Sequence, residues 1–446
     1  MTAKYSLPAE RLEQRLPDKK PLYTEAEARA EAERCLYCAD APCTKACPTE
    51  IDVPTFIKKI ASGNVRGAAR TIFEQNMLGG SCARVCPVEV LCVGSCVYNG
   101  WNQPPIQIGR LQRYATEVAT REDEPPLFGS VAESDSPGRK AVALVGAGPA
   151  SLACAAELSL QGHSAVIFER RELPGGLNTS GVAPYKLHVE DALAEVDWIR
   201  ELGVEIRTGV EIGKDLSGDQ LLEHYDAVFL GLGTGADHRL GVPGEQGPGV
   251  VGASAWIRHL KLGAAEPGRP LQLGRVVVIG GGNTALDVAR ECSLLGAEKV
   301  TLVHRRGPTE LTGYAHELAQ CRAAGVQVLT ELVLVAFLRD QTGKLHGIRL
   351  SRAVSGRPVG GTEHDMPCDL AVIAIGQSKL GPLVDQFPGV EVDARGCIVA
   401  SASTGATGNP RVFSGGDCAN GGKEVVHAVA DGRNAAREMV RGWRAN

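Results

Sequence analysis

The chain has 446 residues, room for about three domains of roughly 150 residues each. Its 43% hydrophobic and 22% charged content is that of a globular chain with a sizeable core, while a net charge of -5 and only 4% aromatics argue against a nucleic-acid partner. No apolar run approaches the ~20 residues that span a bilayer, and the charged start MTAKYSLPAERLEQRLPDKK lacks a signal-peptide core, so a cytoplasmic protein with no membrane partner is expected.

In that compartment the 14 cysteines are expected as metal ligands, redox groups or buried thiols rather than disulfides. The stretch RCLYCADAPCTKACP carries Cys35, Cys38, Cys43 and Cys47, and SCARVCPVEVLCVGSC carries Cys82, Cys86, Cys92 and Cys96. The spacers TEAEARAEAER and VPTFIKKIASGNVRGAARTIFEQ read as helices, so residues 1–120 form a mainly helical, cysteine-bearing domain. Structural zinc favours paired C-x2-C units, often with histidine, and there is one such pair here and no obvious nearby histidine. A thiol–disulfide couple needs one pair, not eight ligand-like residues, and a set of merely buried thiols explains no spacing. Iron–sulfur clusters use thiolates and often carry C-P endings, as at Cys47-Pro48 and Cys86-Pro87. Spacing alone leaves open which cysteines share a cluster.

A polar, proline-bearing linker at 121–138 leads to AVALVGAGPASLACAAELSLQG, a buried strand, a glycine turn and a helix. Gly146, Ala147, Gly148, Pro149, Ala150 and Ser151 form a dinucleotide fingerprint in which Ser151 stands where glycine is usual. The next strand ends in Glu169 and Arg170, the acid placed for a ribose. RVVVIGGGNTALDVARECSLLG repeats the unit with Gly280, Gly282, Asn283, Thr284 and Ala285, but its following strand ends in His304, Arg305 and Arg306. Two arginines suit a 2′-phosphate and favour NADP(H), without excluding NAD(H). Alternating strands and helices imply an α/β protein with parallel sheets covered on both faces.

Near the C-terminus, VFSGGDCANGG followed by EVVHAVADGRNAA places Gly416 and Asp417 after a strand and Val425 in the next helix. This pattern, with VFLGLGT near Thr234, resembles the two-dinucleotide flavoproteins. The resemblance implies that the first fold binds FAD and an inserted second fold binds the nicotinamide nucleotide. The flavin domain is then split between 139–265 and 369–446 around a nucleotide domain at 266–368. It also implies flavin contacts at Gly176, Leu177 and Lys186, the last as a cation tuning the ring, and nucleotide contacts at Ile375 and Gly376.

CLYCADAPCTKACP, CARVCPVEVLCVGSC and IQIGRLQRYA resemble the N-terminal cluster domain of the dihydropyrimidine dehydrogenases, and the whole chain resembles the separate flavin/iron–sulfur subunit of their bacterial forms. Glutamate synthase small subunits share the layout. The resemblance implies two interleaved 4Fe-4S sets, one of Cys35, Cys38, Cys43 and Cys96, the other of Cys47, Cys86, Cys92 and Gln112, with Cys82 in place of Gln112 as the open alternative. It implies an NAD(P)H-dependent oxidoreductase with no catalytic side chain of its own. In that role the chain feeds a partner subunit, in a hetero-oligomer, that carries FMN and reduces uracil or thymine. A glutamate synthase partner and a non-redox docking scaffold are the alternatives.

Overall fold

The computed structural model describes residues 5–120, 127–128, 138–263, 271–378 and 381–445. The expected linker and the expected start of the nucleotide domain therefore lie largely outside the described residues. The chain divides into a smaller unit, Met1–Pro17, Ser180–His188 and Gly235–Ser378, and a larger one, Asp18–Thr179, Val189–Thr234 and Lys379–Asn446.

The larger unit opens with helices. Thr24 caps the helix Glu25–Glu33, accepting from the Glu27 amide while the Glu27 carboxylate accepts from the Thr24 amide, a reciprocal capping box. The second spacer forms two helices, Val53–Ala61 capped by Asp52 and Val65–Phe73 capped by Asn64. Each buries one apolar stripe, Phe56, Ile57 and Ile60 on the first and Ala68, Ile72 and Phe73 on the second, worth about 1.5–3 kcal/mol for each large side chain. Gly79–Val85 and Ile108–Ala119 pack beside them.

The rest of this unit is a five-stranded parallel sheet. Its strands are β1 (Ala141–Val145), β2 (Ser164–Glu169), β3 (Glu205–Thr208) and β4 (Ala227–Leu230), joined by Val412–Ser414 from the far end of the chain. The order runs from Val412–Ser414 through β4, β1 and β2 to β3. Residues of β1 and β4 are buried almost throughout, as a parallel sheet covered on both faces requires. The helix Pro149–Leu160 lies against the terminal helix Val425–Ala445, and their alanine-rich faces share one core with Leu144, Ile167 and Phe229.

The smaller unit has its own five-stranded parallel sheet, built from β5 (Val250–Gly252), β6 (Arg275–Gly280), β7 (Lys299–Val303), β8 (Gln327–Leu329) and Leu370–Ala374, which runs between β5 and β6. The expected domain borders differ here. Val250–Gly252 and Leu370–Ala374, expected in the split flavin domain, hydrogen-bond into the second sheet. An antiparallel layer also appears that alternation alone did not foretell: β9 (Leu332–Arg339), β10 (Leu345–Val354), β11 (Arg357–Pro358) and β12 (His364–Pro367). Within the same numbering Leu370–Ala374 is β13 and Val412–Ser414 is β14. No helix among the described residues is long and apolar enough to cross a membrane.

Candidate functional site

In the larger unit β1 ends at Val145 and the helix Pro149–Leu160 starts almost at once, leaving residues 146–148 to turn the chain. Gly146 takes φ +89°, and a Cβ there would stand 2.6 Å from the Gly231 carbonyl oxygen, so only glycine fits. Gly148 caps the helix in extended conformation, and a Cβ on it would meet nothing within 4 Å. That open space lies before the free amides of a helix N-terminus, the surroundings a pyrophosphate needs. Pro149 supplies the first helical position at no hydrogen-bond cost. Ala147 and Ala150 are buried beneath the turn, and Gly176 packs against Gly148 just before Leu177 opens a short helix.

Ser151 is fully buried and faces Gly231, where a Cβ would come within 2.2 Å of the serine hydroxyl. The small residue missing from the fingerprint is thus supplied by Gly231, just after β4. Glu169 accepts from the Ala147 amide at 2.8 Å and from the Arg171 amide at 2.9 Å, so the acid expected at a ribose also stiffens the glycine turn. Arg170 beside it is exposed. At the other end of the unit Gly416 precedes the turn Asp417–Asn420, the Lys423 amide reaches an Asp417 oxygen at 3.3 Å, and Val425 begins the terminal helix.

The smaller unit repeats the plan. A Cβ on Gly280 would lie 2.3 Å from the Ala374 carbonyl oxygen, Gly282 caps the helix Asn283–Leu294, and Ala285 is buried beneath. Asn283 accepts from the Tyr314 amide at 2.9 Å, while Thr284 is exposed. The His304 ring lies beside Gly281 with its Nε2 buried and unpartnered, and burial, helped by Arg306, holds the ring below its ordinary pKa. Arg305 and Arg306 are exposed, with no carboxylate paired to either among the described residues. Ile375 and Gly376 follow β13, the first of them exposed.

The eight clustered cysteines separate into two groups. Cys35, Cys38, Cys43 and Cys96 line one cavity with apolar walls from Leu36, Ile57 and Ile106. Burial pushes the Cys43 thiol up to about 11 and raises that of Cys35 as well, Cys38 and Cys96 adding to the latter. The second group gathers Cys47, Cys86 and Cys92, with both Cys86 and Cys47 acting on Cys92, whose thiol is raised first by burial. Cys86 is raised by a hydrogen bond with Cys82 and then by burial. Gln112, on the helix Ile108–Ala119, donates its Nε2 to the carbonyl of Gly79, at the start of the helix that carries Cys82, at 2.7 Å. Buried thiols of raised pKa stay protonated unless cationic iron draws off the proton, so the donors fit a cluster.

Comparison with known proteins gives these sites a family. Residues 13–124 match dihydropyrimidine dehydrogenase domain II, 4Fe-4S cluster, and residues 140–432 match pyridine nucleotide-disulphide oxidoreductase. The chain belongs to the pyridine nucleotide-disulphide oxidoreductase family. This oxidoreductase is 34% identical to the glutamate synthase [NADPH] small chain of Escherichia coli K12, over 96% of either chain. It is also 34% identical to the NAD-dependent dihydropyrimidine dehydrogenase subunit PreT of Escherichia coli O157:H7, over 95% of this chain and 96% of that one. A Thermoplasma acidophilum thioredoxin reductase has the same fold over 68% of this chain and 99% of its own, with a TM-score of 0.55 at 22% identity. The oxidoreductase thus pairs a 4Fe-4S domain with an FAD/NAD(P)-type α/β fold.

Three residues escaped the sequence. Asp431, in the middle of the terminal helix, accepts from the Gly416 amide and the Asn420 side chain, each at 2.9 Å, and so holds the Asp417 turn, while burial raises its carboxyl. Glu195 accepts from the Gly80 and Ser81 amides at 2.8 and 3.0 Å, capping the helix that carries Cys82, and burial pushes its carboxyl up to about 7. Gly231 makes room for Ser151. Only an acid inside an otherwise apolar helical stripe, as in AVADGRNAA, could have flagged Asp431.

The structure places Lys186 in the smaller unit, where its ammonium lies 2.7 Å from Asp287 and 3.0 Å from Glu317, and Asp287 also accepts from the Tyr185 hydroxyl at 2.5 Å. Burial pulls the ammonium down, but the two carboxylates outweigh it and hold it above its ordinary value. Lys186→Met leaves both acids facing each other in a site where Glu317 is 4% exposed. The expected cost is about 3–5 kcal/mol, seen as a lower melting temperature, with wild-type melting as the result that would refute it.

Proposed function

We propose that this chain is an electron-input subunit. It oxidises NAD(P)H at FAD and sends electrons through two 4Fe-4S clusters to an FMN-bearing catalytic subunit that reduces uracil or thymine to 5,6-dihydropyrimidines. The observation that carries the reading is the sorting of the clustered cysteines into two groups within the same unit as the first glycine turn. FAD, when bound, would supply the exchange of a two-electron hydride for single electrons that a cluster chain requires. The chain's own part is to hold the groups. The amides after Gly148 take the pyrophosphate, Glu169 the ribose and Asp417 the ribityl chain, while Gly282, Arg305 and Arg306 take the nucleotide. Cys35, Cys38, Cys43 and Cys96 hold one cluster, and Cys47, Cys86, Cys92 and Gln112 the other. Lys186 acts on the nucleotide-unit carboxylates first, and a tuning role toward the flavin is secondary.

Equal identity to a glutamate synthase small chain favours a second reading, the same input chemistry with glutamate synthase as client. Native purification of the complex separates them. Pyrimidine-dependent oxidation of NAD(P)H upholds the first reading, and turnover with glutamine and 2-oxoglutarate the second. Absence of flavin reduction by either nicotinamide overturns both. Replacing Arg305 and Arg306 together by alanine is expected to raise KM for NADPH more than tenfold with KM for NADH nearly unchanged, a loss of about 1.4 kcal/mol or more. Equal changes for both nucleotides would remove the 2′-phosphate assignment.

A further inference from the structure

Arg433 projects from the terminal helix Val425–Ala445, which starts just after the Asp417 turn, and it is only 6% exposed. Its Nη1 donates to the Thr49 carbonyl at 2.8 Å, the Gln75 carbonyl at 2.9 Å and the Gln75 side-chain oxygen at 2.9 Å. Its Nη2 reaches the Asn434 side chain at 3.4 Å, and its Nε is buried without any partner. Every acceptor is neutral. Glu157, which acts on Arg433 from farther off, is ion-paired at 3.0 Å with Arg437. An arginine cannot shed its charge, so a buried one with only neutral partners wants an anion.

Glu50, next to Thr49, also acts on the Arg433 charge, but its side chain is exposed. The candidate on the buried side is two residues from the main contact of Arg433, at Cys47. Thr49 is fully buried, and its hydroxyl lies 3.3 Å from the Cys47 sulfur and 3.4 Å from the Asn76 side chain. Cys47 is among the groups that act on the Arg433 charge. The cavity of Cys35, Cys38, Cys43 and Cys96 has apolar walls and no such buried cation in its lining. We propose that Arg433 is a positioning residue and fixed positive charge for the cluster held through Cys47, setting its reduction potential above that of the cluster held by Cys35, Cys38, Cys43 and Cys96. The inference rests on the cluster reading of these cysteines. Taking up one electron makes a thiolate-bound cluster one unit more negative, with no proton or bond moved, and a nearby cation favours that state. Because the same helix runs on from the flavin turn, one element sets both the Cys47 loop and the charge that draws the electron toward it.

The test is a potentiometric titration of the full, anaerobically purified chain, followed by electron paramagnetic resonance, for wild type, Arg433→Met and Arg433→Lys, with iron and sulfide measured on each sample. Arg433→Met is expected to weaken reduction of one cluster at least tenfold, 59 mV for a one-electron couple, and to leave the other unmoved. Arg433→Lys should restore most of that shift. Unchanged midpoints in Arg433→Met with full iron content overturn the inference while leaving the cluster reading intact. If Arg433→Met loses one cluster, Arg433→Lys decides. Two clusters at wild-type midpoints uphold the role of charge, and loss of the same iron or a lowered midpoint overturns it. A wild-type chain with neither iron nor labile sulfide overturns the cluster reading and the inference together.

Discussion

Gly148→Val is expected to yield a folded chain that binds its flavin far more weakly and keeps its iron. The position is unusual among the turn glycines because its backbone asks for no glycine. It is extended, with φ -81° and ψ 176°, a conformation valine favours, and a Cβ on it touches nothing within 4 Å. The new methyl groups therefore enter only the space before the helix Pro149–Leu160 that the dinucleotide would fill. Forcing such overlap costs about 1–3 kcal/mol, so flavin binding should weaken roughly tenfold to a hundredfold with the melting temperature of the flavin-free chain unmoved. Gly146→Val is the contrasting case. There the φ of +89° and the 2.6 Å approach to Gly231 make the same side chain a folding defect. Absorbance of the purified flavin against protein, with iron content as control, distinguishes the two. A Gly148→Val chain with full flavin would show that the first fold does not receive its cofactor at this turn.

What could be read from the sequence followed the range of the interaction. The two fingerprints are local: strand, turn, helix and the next strand's end, acidic at Glu169 in the first and basic at Arg305 and Arg306 in the second, lie within about 30 residues, and the strands, turns and helices stand where the pattern put them. The helical spacers were legible for the same reason, each with its own capping residue and apolar stripe. Strand membership was not. Val250–Gly252 and Leu370–Ala374 are short apolar runs no different in kind from Ala227–Leu230, and only pairing with β6 across almost a hundred residues assigns Leu370–Ala374 to the second sheet. Lys186 shows the same limit at a single side chain. A family pattern placed it at a flavin, but its charge partners Asp287 and Glu317 come from two helices more than a hundred residues on. Asp431 and Glu195 were hidden because an acid holding backbone amides looks, in sequence, like any solvated acid.

Replacing Cys96 by serine is expected to remove the same cluster as replacing Cys38, although 57 positions and a second cysteine-rich segment separate them. Sequence order would join Cys96 to Cys82, Cys86 and Cys92. The cavity joins it to Cys35, Cys38 and Cys43, and its action on Cys35 and Cys43 points the same way. Each of these two variants should therefore retain about half the iron and sulfide, with one identical resonance signal missing, whereas Cys92→Ser should lose the other signal. Pairing by sequence predicts instead that Cys96→Ser and Cys92→Ser look alike, so one comparison rejects one arrangement. The second group then turns on two single variants. Cys82 is 2% exposed and hydrogen-bonded with Cys86, whereas Gln112 has its amide nitrogen committed to Gly79. If Gln112 is the ligand, Gln112→Ala loses the second signal and Cys82→Ser keeps it. An amide oxygen in place of a thiolate also removes one negative charge, so Gln112→Cys should hold the cluster at a lower potential, the same direction expected for removing Arg433. A rise in potential in Gln112→Cys would mean that Gln112 is not the fourth ligand.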